Sequence, residues 1–197
     1  MRKLFVAITQ YDYLSKQDAK HYQHIEQYID YLIVRTPMPT AMLVSWITDL
    51  VQYGFPKDKI IIHDNVCVLR RCNLKAIHFR ECNARVKRFK YNQPEIQVSM
   101  STHSQTAIRY AEQLNLDFVL FGHVFETNSK VGKMPRTTAE IIEAVNSNIP
   151  IIALGGINQQ TLKQLPKGFN GIAGISIFQR KSDTNIGRLK EVWTEYV

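Results

Sequence analysis

The 197-residue chain is 45% hydrophobic and 21% charged, which supplies one domain with a substantial core and leaves room for two small ones at most. Its net charge of +8 and pI near 9.4 come from basic residues spread along the chain, with one short cluster at residues 86–90. That spread is the wrong footprint for nucleic acid and suits small anions such as phosphates. The opening MRKLFVAI gives way to polar Thr9, Gln10 and Asp12, too soon for a signal peptide or a membrane span, so a soluble cytoplasmic protein with no membrane partner is predicted.

Short runs rich in Val, Ile, Leu and Phe recur at residues 4–9, 31–35, 59–63, 75–79, 96–99, 118–121, 151–154 and 171–175, as buried parallel strands do. The polar stretches between them read as helices at 15–28, 40–53, 66–72, 83–89, 104–114, 137–147, 159–165 and 185–196. Ser104 ahead of TAIRYAEQL, Gly54 after the second helix and Pro150 before the seventh strand supply start and stop signals. Eight strand-helix units predict a single α/β domain over residues 1–197, a compact (β/α)8 TIM barrel. It is shorter than the roughly 250 residues such barrels typically use. A doubly wound open sheet is the alternative, and the count of eight argues against it. Cys67, Cys72 and Cys82 cannot all pair and match no zinc or redox spacing, so they read as reduced, partly buried thiols.

In such a barrel the C-terminal strand ends gather around one pocket. Arg35, His63 with Asp64, His78, Ser99 with His103 beyond it, His123, Gly155 with Gly156, and Gly174 to Ser176 occupy those ends. Imidazoles suit proton transfer near neutral pH. His63, His78 and His103 read more readily as loop-bonding residues, and His123, where DFVLFG runs into the long loop 124–136, reads as the catalytic group. No H-x-H or H-E-x-x-H spacing points to a metal. Gly155 and Gly156 in ALGGINQQT, with Ile175 and Ser176 in GIAGISIF, form a candidate phosphate cup. Arg35 and Lys130 are candidate anion holders, and the loop after the sixth strand is a natural lid.

These motifs resemble, in order and over nearly the whole chain, the thiamin phosphate synthase and TenI superfamily: FVAIT, YLIVR, KIIIHDN, KAIHFRE, VSMSTHS, FGHVFETNSK, IPIIALGGI and GIAGISIF. The resemblance divides between two chemistries. Synthases join a pyrimidine diphosphate to a thiazole phosphate with Mg²⁺. Their pattern has R-x-K after strand two, Asn-Asp after strand three, an Asp after strand four and a proline after the glycine of strand six. This chain has Arg35-Thr36-Pro37, His63-Asp64, Asn83 and His123 at those places.

FGHVFET is the form of the TenI-like thiazole tautomerases, and their key histidine maps onto His123. The resemblance therefore implies an isomerase of thiamin biosynthesis that aromatises a carboxythiazole phosphate tautomer, with thiazole synthase as upstream supplier and no cofactor or metal. His123 would be its acid/base. Arg35, Ser99, Thr127, Ser129 and Lys130 would contact substrate, and Gly155, Gly156, Ile175 and Ser176 the phosphate. A homo-oligomer is compatible with this reading. The alternatives are a divergent synthase and a non-catalytic thiazole phosphate-binding regulator.

Overall fold

Alternation along the strands decides which side chains fill the interior, and the computed structural model shows the result for residues 3–127, 130, 132–180, 182 and 184–196. Strands β1 (Leu4–Ile8), β2 (Tyr31–Val34), β3 (Ile60–His63), β4 (Ala76–Phe79), β5 (Gln97–Thr102), β6 (Phe118–Gly122), β7 (Ile151–Leu154) and β8 (Gly171–Gly174) close in chain order into one barrel. Neighbouring pairs are parallel, and β8 returns to β1 with Phe5 opposite Ile172. The expected (β/α)8 architecture is thus present.

One set of alternate residues, including Val6, Ile8, Ile33, Ile61, Phe118, Leu120, Ile152 and Ala173, packs inside the barrel. The other set, including Phe5, Leu32, Ile62, Phe79, Val98 and Phe121, packs outward against the helix ring. That ring is α1 (Lys16–His24), α2 (Thr40–Gln52), α3 (Val66–Arg71), α4 (Val86–Asn92), α5 (Gln105–Gln113), α6 (Thr138–Val145) and α7 (Ile186–Tyr196). Capping boxes start α1 at Ser15 with Asp18 and α6 at Thr137 with Glu140. Continuing the inward alternation past the apolar layers brings Arg35, His63, His78, Ser99 and Ser101 to the upper interior and rim of the barrel.

The opposite end has its own polar device. Asp30, Asp117 and Asn170 each precede a strand, and each accepts a backbone N–H from the strand before: Phe5 at 2.8 Å, Val98 at 2.7 Å and Ile151 at 2.8 Å. These side chains satisfy strand-start donors at the barrel floor.

Four expectations need correction. Residues 159–165 form no α-helix: a 3-10 turn at Thr161–Gln164 connects β7 to β8, because Pro166 holds Leu165 in an extended conformation and stops propagation. The helix expected at 83–89 runs from Val86 to Asn92 instead, because Asn83 is engaged in a turn, accepting from Arg85 N. The first helix ends at His24 and continues only as a 3-10 turn, Glu26–Tyr28. The three cysteines are unpaired, but Cys67 and Cys82 are exposed and only Cys72 is buried.

Candidate active site

β4 and β5 build a deeply buried polar cluster inside the barrel. His78 points inward and is 2% exposed, with Nδ1 bonded to Ser99 Oγ at 2.8 Å and Nε2 to Ser101 Oγ at 2.9 Å. Burial, with His63 adding to it, pushes the His78 pKa down to about 3, so its ring is neutral. Ser99, expected to meet substrate, is itself buried and its hydroxyl is bonded to His78. Ser101, one inward step higher and partly exposed, is the serine nearer the mouth. It was missed because β5 runs two inward positions beyond Gln97, to Ser101, and ends at Thr102 rather than at 99.

His63 stands opposite His78 in the β3–β4 register, with ring centroids 5.8 Å apart. Burial holds its pKa below the ordinary imidazole range; Asp64 opposes that shift, and the cations Arg35 and Arg80 add to it. Arg35 follows β2 on the other flank. Its backbone N–H donates to Thr9 Oγ1 at 2.8 Å, Thr9 Oγ1 donates to the Arg35 carbonyl at 2.6 Å, and its guanidinium lies 4.6 Å from the centroid of the exposed Tyr11 ring. That cation-π contact gives the fork a platform no sequence motif announced.

The rim beside His63 is charged and self-paired. Asp64 accepts from Asn83 Nδ2 at 2.7 Å and from the Arg80 backbone N–H at 3.3 Å, and Arg80 Nε lies 3.4 Å from its other oxygen. An amide thus stands at the place where the synthase resemblance puts a second carboxylate. Among the described residues no cluster of three or more His, Cys, Asp or Glu side chains could hold a metal ion.

The lid is tied to the corner after β5 through His103. Glu81 accepts from the His103 backbone at 3.1 Å and meets its ring Nδ1 at 2.5 Å, while Lys130 Nζ lies 3.2 Å from Nε2. Arg136 donates to the His103 carbonyl at 3.0 Å. Burial lowers the Lys130 pKa, Lys133 and Arg136 add to the effect, and Glu81 opposes it. Thr127, expected to line the lid, is partly exposed, and its carbonyl accepts the Lys130 N–H at 3.0 Å. Ser129 lies outside the described residues.

His123 sits at the base of this loop and is 4% exposed. Its Nε2 bonds the Lys133 carbonyl at 3.1 Å, so in the neutral ring Nε2 carries the hydrogen and Nδ1 the lone pair. Nδ1 is buried with no hydrogen-bond partner among the described residues. Gly155 explains how β7 comes so close: at φ +100, a Cβ there would stand 2.3 Å from His123 Cβ. At Gly156 a Cβ would meet Glu126 O at 2.3 Å. These glycines are required for packing under the lid as well as being expected in a phosphate cup. Just after β8, which is adjacent to β7, Ile175 is partly exposed and Ser176 exposed, the latter opening a 3-10 turn, Ser176–Phe178.

A family profile described as thiamine monophosphate synthase matches residues 7–178. A putative thiamine-phosphate synthase 2 of Aquifex aeolicus is 32% identical over 126 residues, covering 62% of this chain and 67% of that one. A thiamine-phosphate synthase of Chlorobium phaeobacteroides is 35% identical over 89 residues, covering 44% of this chain and 43% of its relative, so the aligned stretch spans under half of that protein. Among solved structures, a thiamine phosphate pyrophosphorylase from Pyrococcus furiosus superposes with a TM-score of 0.76 at 19% identity, covering 99% of this chain and 96% of the other. At that identity the likeness is one of fold.

Proposed function

The chain belongs to the thiamine monophosphate synthase family of thiamine biosynthesis, and on that premise we propose that it is a thiazole tautomerase, converting a carboxythiazole phosphate tautomer into its aromatic isomer. The observation that carries this reading is the Asn83–Asp64 hydrogen bond with Arg80 beside it. Mg²⁺ prefers hard carboxylate oxygens, and here one member of the pair is a neutral amide whose N–H₂ faces the other. This donor set does not fit the synthase metal, and no step of the proposed reaction runs through it.

Aromatisation removes a proton from the ring carbon that bears the carboxylate and adds one at the exocyclic side-chain carbon, which is acid/base work. His123 is the proposed proton-transfer group, with Nδ1 the nitrogen left for substrate once Lys133 takes Nε2. Because the ring is buried and its Nε2 is held by the Lys133 carbonyl, substrate entry requires that contact to open, as lids do. Arg35 or Lys130 would hold the carboxylate. Gly155, Gly156, Ile175 and Ser176 would hold the phosphate, and Thr127 and Ser129 would line the lid. The substrate is a thiazole phosphate, supplied by a thiazole synthase.

Purified protein is expected to accelerate aromatisation in the presence of a metal chelator, and His123→Ala to lose about 10²-fold or more of that rate. An unchanged rate in the variant removes His123 from the mechanism. The names of the relatives favour a second reading, a divergent synthase. Mg²⁺-dependent formation of thiamin phosphate from the two phosphorylated precursors would establish it.

A further inference from the structure

Aromatisation has two reacting carbons, and the barrel offers imidazoles on well-separated strands, His63 on β3 and His123 just after β6. The strand-end histidines differ in what their nitrogens already do. His78 has both bonded to serine hydroxyls, His103 has both in contact with Glu81 and Lys130, and His123 has Nε2 on the Lys133 carbonyl. His63 makes no hydrogen bond through its ring to any described residue. Its Nδ1 stands 3.8 Å from Asp64 Oδ2, and its side chain is 21% exposed.

The position matches one end of the substrate. β3 is four strands from β7 in the eight-strand ring, directly across the mouth. A phosphate at the ends of β7 and β8 therefore directs the far end of the molecule toward β3 and β4, with β2 next to β3. The far end carries the carboxylate, and Arg35 lies beside His63, since Val34 pairs with Ile62 immediately below them. A carboxylate on Arg35 brings the carbon that bears it, with its proton, to His63.

We propose that His63 is the base that takes the ring-carbon proton, while His123 serves the exocyclic carbon; this rests on the tautomerase reading. The C–H bond at the carboxylate-bearing carbon breaks, and its electron pair becomes the new ring C=N. The former ring C=N shifts to C=C, the exocyclic C=C opens, and its terminal carbon takes the Nδ1 proton of His123 in its imidazolium form, which leaves the neutral ring with its hydrogen on Nε2. One proton leaves and one is added, with no net oxidation, and solvent resets both imidazoles between turnovers. Burial and the neighbouring guanidinium groups of Arg35 and Arg80 favour a neutral His63 ring, with Asp64 opposing.

The test compares His63→Ala and His63→Asn with the wild-type chain, using the carboxythiazole phosphate tautomer. Both variants should lose about 10²-fold in kcat, with wild-type melting temperature and wild-type affinity for the aromatic product. Free imidazole should restore part of the rate to His63→Ala, a response that a merely structural residue would not give. Retention of kcat in either variant, or a loss that imidazole leaves untouched, overturns the assignment. A wild-type protein that does not aromatise the tautomer overturns the tautomerase reading and His63's role with it, so the wild-type rate separates the two failures.

Discussion

A histidine in a sequence announces chemistry without saying which nitrogen is available, and the six in this chain show why that matters. The strand-end placement of His63, His78 and His123 was legible, because a run of β-branched residues ending in a polar side chain marks the top of a buried strand. What each ring touches was not. His78 is held by Ser99 and Ser101 on a strand 21 residues and more away in sequence, and His123 by the Lys133 carbonyl. His78 carries a prediction of its own. Its folded pKa of about 3 lies below the ordinary 6.5, so between those values the unfolded chain binds a proton that the folded chain refuses. Stability should therefore be full above about pH 6.5 and fall as the pH drops toward 3. His63, shifted in the same direction, adds to the slope. Melting temperatures from pH 7 to pH 4 should decline less steeply in His78→Gln than in wild type; equal slopes would contradict the account.

At the scale of elements, strands were more legible than helices. A buried strand is fixed by a local apolar run, whereas α4 and the β7–β8 connection depend on long-range polar bonds and on where a proline falls. Asn83 bonds Asp64 across 19 residues, which displaces the start of α4, and Pro166 leaves only the turn Thr161–Gln164 after β7. The glycine pair was legible as a special turn, but its partner was not: the turn permits β7 to approach the lid. Gly155→Ala must place a Cβ at positive φ against His123. A loss of about 2 kcal/mol or more is expected in urea unfolding, with a lower aromatisation rate per folded molecule. Wild-type activity in the folded fraction would separate the glycine from the placement of His123. At the other end, Asp30→Ala removes the acceptor of the buried Phe5 N–H and should cost about 1–3 kcal/mol in the same assay. A smaller cost would mean that water replaces the carboxylate.

On the scale of the whole molecule, the closed barrel converts a linear list of strand ends into a ring, and that ring is what gives the candidate site two sides. Arg35 and His63 follow adjacent strands, β2 and β3, while the glycine turn follows β7 across the mouth. The proposed substrate carries a carboxylate at one end and a phosphate at the other, and a surplus of positive charge, +8 overall, favours such an anion. No helix among the described residues is long and apolar enough to cross a membrane. Barrel closure was legible from the count of eight units, and the lid's attachment through His103 was not, because Glu81, Lys130 and Arg136 reach it from two other loops. The most direct test of the central claim is the aromatisation rate of the carboxythiazole phosphate tautomer with a chelator present, for wild type and His123→Ala side by side. The account predicts a metal-independent acceleration by wild type and a loss of about 10²-fold or more in the variant. No acceleration by wild type, alongside Mg²⁺-dependent formation of thiamin phosphate, would contradict it.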